Sequence, residues 1–269
     1  DSAPSPRRLQ YLRDYRRRKR SIRLWQVCLL AGLFALWELT TRLGLSDGFL
    51  TSSPSRMAGT LQSLWHSGDL WRHIGTSCLE TVVGFTAGTL LGTAIAVAMW
   101  WWEKLARVLD PYLVVLNALP KTALGPIFIV WMGAGMGSII VMTLAISLIV
   151  TILSMYQGFL GTDSEKLRLM RSLGATRGQI LWMLVFPASF PTLFNTLKVN
   201  VGLSWVGVIM GEFLVSRAGL GYLIVYGSQV FNMDLVMASV VILAAAAVVM
   251  YRLVLGAEKL LQHYWGVKA

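Results

Sequence analysis

The chain has 269 residues, of which 55% are hydrophobic and only 14% carry a charge, against roughly 25% charged in soluble domains. Several stretches run nearly free of charge over the roughly 20 residues that cross a bilayer core, which excludes an ordinary soluble domain. The pI of about 10.1 does not point to nucleic acid, because nine of the 24 Lys and Arg lie in one run, Arg7, Arg8, Arg13, Arg16, Arg17, Arg18, Lys19, Arg20 and Arg23, directly before an apolar segment, as in a tail beside anionic lipid.

In chain order, a basic tail over 1–23 precedes a predicted span over 24–43, too long to be a cleavable signal. Further spans are predicted over 74–100, 111–132, 138–160, 192–215 and 235–255, each long enough to cross as a helix. They must be helices, since backbone polar groups in lipid need partners within the segment. The expected fold is thus all-α and integral to the membrane, with about six transmembrane helices. Placing the N-terminus in the cytoplasm and alternating puts 20 Lys and Arg inside, and leaves Arg42, Arg56, Arg72 and Arg217 outside. That bias favours cytoplasmic termini.

Between the first two spans, Ser53-Pro54-Ser55 reads as a helix start. Met57, Leu61, Leu64 and Trp65 then recur at helical spacing, so a short external helix is expected along the surface. Residues 24–73 are expected to form a unit apart from a core domain over 74–258, with a cytoplasmic tail over 259–269. Gly84, Gly88 and Gly92 in the second span repeat at every fourth position, a pattern that lets a second helix backbone approach closely. Gly207 and Gly211 repeat it in the fifth span. Pro120 and Pro126 in the third span should kink it, and broken helices often flank transport pathways.

The connection over 159–191 is the most informative. Thr162 with Glu165, and Thr176 with Gln179, have the capping-box spacing. Two short helices are expected, the first with Leu167, Met170 and Leu173 on one face and ending at Gly174, the second over Arg177 to Phe186. An apolar stripe with basic flanks outside the bilayer suits either a protein partner or a helix folded on the membrane surface. Charged residues inside spans are candidate functional groups: Glu38, Glu80, Lys198 and Glu212, with Lys198 able to snorkel and Glu212 expected either in structural pairing or in gating and contact with a binding protein. Asn200 and Ser204, about one turn apart, are candidates for a polar pathway. Cys28 and Cys78 are expected unpaired, and His66, His73 and His263 lack metal-ligand spacing. No G-x-x-x-x-G-K-[ST] loop, nucleophile, acid–base pair or metal cluster is visible in the sequence, so neither catalysis nor a cofactor is expected in this chain.

Arg168-Leu169-Met170-Arg171-Ser172-Leu173-Gly174-Ala175, followed by Leu184-Val185-Phe186-Pro187, resembles the coupling loop of type I ATP-binding-cassette importer permeases. That motif reads Glu-Ala-Ala, three residues, Gly, nine residues, then Ile-x-Leu-Pro. Gly174 and Pro187 keep its spacing, while Arg168 stands in the position of the Glu. Asp110-Pro111, Leu119-Pro120, Trp131-Met132-Gly133-Ala134-Gly135, Gly211-Glu212-Phe213-Leu214 and Gly219-Leu220-Gly221-Tyr222-Leu223-Ile224 are similar to the nitrate, sulfonate and taurine branch.

The resemblance implies the type I importer transmembrane fold, with Glu165, Lys166, Leu167, Arg168, Leu169, Met170, Arg171, Ser172, Leu173, Gly174 and Ala175 forming an ATPase-coupling helix. It further implies a bacterial inner-membrane location, two cytoplasmic ATPases that hold ATP and Mg, an external solute-binding protein, and a second permease copy, as a homodimer. A secondary transporter and a membrane scaffold or sensor are the alternatives.

Overall fold

The computed structural model describes residues 6–45 and 47–265, and among these all regular structure is helical. Helix α1 (Pro6–Arg42) contains the whole basic run and continues through the first span. Short α2 (Gly48–Thr51) and α3 (Pro54–Ser67) follow. Ser53 caps α3 with its side chain and Pro54 occupies the first turn, as the sequence predicts. Then come α4 (Asp69–Trp101), α5 (Glu103–Ala118), α6 (Gly125–Met132) and α7 (Met136–Leu160). Helices α8 (Ser164–Ser172), α9 (Arg177–Ile180) and α10 (Phe186–Ala188) form the connection to α11 (Phe190–Val215). Helices α12 (Leu220–Gln229) and α13 (Met233–Trp265) complete the described chain.

Five helices are long and apolar enough to cross a membrane, and α5 with α6 makes a sixth candidate bent by 92°. The third span is therefore not one helix over 111–132. It starts earlier, at Glu103, and breaks after Ala118, where Leu119 and Pro120 are extended and Lys121–Leu124 form a single 3₁₀ turn. Proline cannot donate to the preceding turn. Pro126 lies in the first turn of α6, where its missing N–H costs nothing.

Helix α7 packs between α4 and α11, and small residues set its distance from both. A Cβ on Gly84 would come 2.6 Å from Thr143 and one on Gly92 2.6 Å from Thr151. Between them, Gly88 packs directly on Ser147. On the other side, Gly207 faces Thr143 and Gly211 faces Ile139. The α7 hydroxyls turn back on their own helix: Thr143 donates to Ile139 O, Ser147 to Thr143 O and Thr151 to Ser147 O. The seam is thus close-packed without leaving these hydroxyls unpaired.

Helix α1 lies at the periphery. Its Glu38 accepts from the Ser55 N–H and hydroxyl and pairs with Arg42 at 2.7 Å. Helix α3 packs on α4 and α13. There Arg56 pairs with Asp234 at 2.8 Å, and the Ser52 hydroxyl donates to the same carboxylate.

Candidate functional site

The hairpin over 161–189 is built by local hydrogen bonds. Asp163, not Thr162, caps α8 by accepting from Glu165 N–H, while Thr162 Oγ1 is buried without a partner. Aspartate one residue closer to the helix reaches the free N–H groups directly. At the other end Gly174 takes a left-handed φ of 77°. Its N–H donates to Arg171 O at 3.0 Å and the Ala175 N–H to Met170 O at 3.0 Å, the paired bonds of a Schellman ending. The second capping box forms as its spacing predicts: Thr176 N–H donates to Gln179 Oε1 at 2.8 Å, and Gln179 N–H to Thr176 Oγ1. Helix α9 then widens into a π turn over Leu181–Val185, so the second helix is not continuous α from Arg177 to Phe186.

The hairpin is fixed to the bundle. Ile180, Leu181 and Val185 bury against Ala96 of α4 and Met155 and Phe159 of α7, with Leu167, Met170 and Ala175 packed on the same cluster. Leu173 is not on this face: it follows the last turn of α8 and is 74% exposed, and Leu169 one turn earlier is 59% exposed. Helix α8 therefore has an anchoring face, Leu167 and Met170, and a free apolar pair, Leu169 and Leu173, flanked by exposed Arg168 and Ser172.

A second cluster sits at the far end of the bundle. Glu212 and Glu80 are each 1% exposed, and Glu80 Oε2 is buried without a hydrogen-bond partner. Ser77 donates to Glu212 Oε1 at 2.5 Å, and the Gly221 N–H to Oε2 at 2.5 Å. Leu220 N–H donates to Ser77 Oγ at 2.7 Å, and Gly219 N–H to His73 Nδ1 at 3.0 Å. Gly219, at φ +121°, lies directly on the Glu212 carboxylate, leaving no room for a Cβ. The loop after α11 thus folds back over Glu212 and is tied to α4. Ser77 and His73 gave no signal in the sequence, since their partners lie 135 and 146 residues away.

A third feature is an open groove of about 680 Å³ between α7 and α11, towards the hairpin end. Ser154, Gln157, Thr192 and Asn195 give it a polar wall. These residues were missed in the sequence, although Ser154 with Gln157 and Thr192 with Asn195 each stand three apart inside an apolar span. Asn200 and Ser204 lie outside the groove: both are fully buried in the chain, with Asn200 donating to Thr151 Oγ1 at 2.7 Å. Lys198 pairs with Glu258 of α13 at 2.8 Å. Pro120 marks the break between α5 and α6. No cluster of potential metal ligands occurs among the described residues.

A helical bundle of five spans, or six with the broken pair, carrying a hairpin packed on the ends of α4 and α7 is the architecture of an importer transmembrane subunit. The fold is similar to the inward-facing MetNI methionine ABC transporter, with TM-score 0.56 and 17% identity over 76% of this chain and 98% of that one. It is also similar to an amino acid ABC transporter, with TM-score 0.59 and 16% identity over 76% and 97%. Residues 88–263 match the family described as binding-protein-dependent transport system inner membrane component, and the chain belongs to that family. Relatives include a probable ABC transporter permease of Haemophilus influenzae, 29% identical over 86% of this chain and 94% of that protein. The putative aliphatic sulfonates permease SsuC of Bacillus subtilis is 27% identical over 82% and 80%. The taurine permease TauC of Escherichia coli is 24% identical over 81% of each chain.

Proposed function

We propose that the chain is the permease subunit of an ATP-binding-cassette importer of small polar organic solutes, working as a pair of identical copies in a bacterial inner membrane with cytoplasmic termini. Two separate ATPases, which hold ATP and Mg, engage the α8–α9 hairpin, and an external binding protein delivers the solute. This chain contributes no ATP hydrolysis of its own. The observation that carries the reading is the two-faced α8: its inner face is locked into α4 and α7, while Leu169 and Leu173 stand free. A partner that grips this pair moves the bundle with it, because Leu167 and Met170 on the same helix are packed on residues of α4 and α7. Binding of ATP by the partners then shifts the spans between inward-open and outward-open through their different contacts in the two states.

Pro120, at the break of the third span, and the polar wall of the α7–α11 groove are assigned to the pathway. The groove wall named above offers hydroxyl and amide groups, which suit hydrogen-bonding solutes passed on rather than held tightly. Relatives named for sulfonates, taurine, formylaminopyrimidine and riboflavin agree with selection by the binding protein. The test is uptake in proteoliposomes. The importer reading expects solute entry only when the ATPase, the binding protein and ATP are all present. Uptake by this chain alone along an ion gradient would establish a secondary carrier instead, and ATPase binding without any uptake would establish a scaffold.

A further inference from the structure

The hairpin also roofs a cavity of about 450 Å³ that lies against the ends of α4 and α7. Its floor is apolar, with accessible surface from Trp100, Leu160 and Leu167, and its walls carry Arg171, Arg177 and Tyr156. Neither arginine meets a carboxylate among the described residues, whereas Glu103, on the same wall, is held by Arg107 at 2.7 Å. Trp100, in the last turn of the long apolar helix α4, lines the cavity, and Trp is enriched at the membrane–water interface. Two guanidinium groups over an apolar floor match a phosphodiester with hydrocarbon attached, since arginine forks onto phosphate oxygens in pairs. A free phosphate ion would use the arginines and leave the floor without a role. Basic pockets between spans on this kind of surface take lipid headgroups.

We propose that this cavity binds the headgroup phosphate of an anionic phospholipid through Arg171 and Arg177, and that the bound lipid ties the hairpin to α4. The inference requires only that the chain spans a membrane, and it stands apart from the assignment of Leu169 and Leu173 to an ATPase. The experiment is native mass spectrometry of the full chain released from nanodiscs of phosphatidylcholine containing phosphatidylglycerol. Wild type is expected to retain phosphatidylglycerol selectively, and Arg171→Gln/Arg177→Gln to retain at least about tenfold less, the loss expected for charge-assisted bonds. Arg168→Gln, on the exposed side of the same helix, is expected to match wild type. Arg171→Lys/Arg177→Lys, which keeps the charge and loses the fork, is expected to fall between, and provides the comparison if the glutamine pair does not fold. Equal retention by wild type and both double variants, equal retention of phosphatidylcholine, or displacement of the lipid by excess inorganic phosphate would each overturn the proposal.

Discussion

Ser77 of α4 donates a 2.5 Å hydrogen bond to Glu212 of α11 across 135 residues of sequence. It also accepts from Leu220 N–H, so one hydroxyl joins two helices and the loop that follows the second. Gly219 of that loop and Gly221 in the first turn of α12 crowd the carboxylate so closely that neither tolerates a side chain.

Gly219→Ala should therefore open the latch. The position has φ +121° and the new Cβ would meet the Glu212 carboxylate. Overpacking of a close-packed site costs about 1–3 kcal/mol, with added backbone strain on top. The expected result is a lower thermal midpoint in detergent and faster proteolysis between α11 and α12. A midpoint equal to wild type would contradict the latch.

The α4–α7 seam predicts a contrast within one helix. Gly88→Ala places a Cβ against Ser147, whereas a Cβ at Gly75 has nothing within 4 Å. Gly88→Ala should destabilise by about 1–3 kcal/mol, and Gly75→Ala should be neutral or slightly stabilising. Chemical denaturation in mixed micelles distinguishes them, and equal effects at the two sites would show that the seam does not determine stability.

Lys198 and Glu258 are each less than a quarter exposed at the side chain. Lys198→Met should leave Glu258 without its cation, at a cost of about 3 kcal/mol or somewhat less given partial solvation. Lys198→Met/Glu258→Leu should recover most of that loss, because two apolar groups need no compensation. A double variant as unstable as the single one would mean that the pair contributes through packing rather than charge.

Capping of α8 separates two neighbours. Asp163→Ala should lower stability of the hairpin by about 0.5–2 kcal/mol. Thr162→Val, which removes a buried hydroxyl without a partner, should be neutral or stabilising. Amide hydrogen exchange at Glu165 and Lys166 reports the difference, and protection lost in the Thr162 variant alone would reverse the assignment.

The free apolar pair predicts a binding defect without a folding defect. Leu169→Asp/Leu173→Asp changes two exposed residues, so the lone chain should keep its thermal midpoint. Association with the ATPase should fall by about tenfold or more, as for truncation of central interface anchors at about 1–2 kcal/mol each. Undiminished copurification of the ATPase would remove the proposed coupling face.

What the sequence determined by itself is what short-range physics controls. Apolar run length gave the spans, Ser53-Pro54 gave the start of α3, and Thr176 with Gln179 gave a cap that closes within four residues. Gly174 was legible because a helix ending needs the left-handed conformation that glycine adopts freely. The capping-box spacing pointed to Thr162, whereas Asp163, one residue closer to the helix, accepts from the Glu165 N–H and leaves Thr162 Oγ1 without a partner. The third span broke at Leu119-Pro120 rather than bending gently, because α6 is held against α7 and α11. The partners of Glu212, Lys198 and Asn200 lie 135, 60 and 49 residues away. No periodicity encodes which distant group will compensate a buried charge, so only the tertiary structure could decide those pairings and divide α8 into an anchored face and a free one.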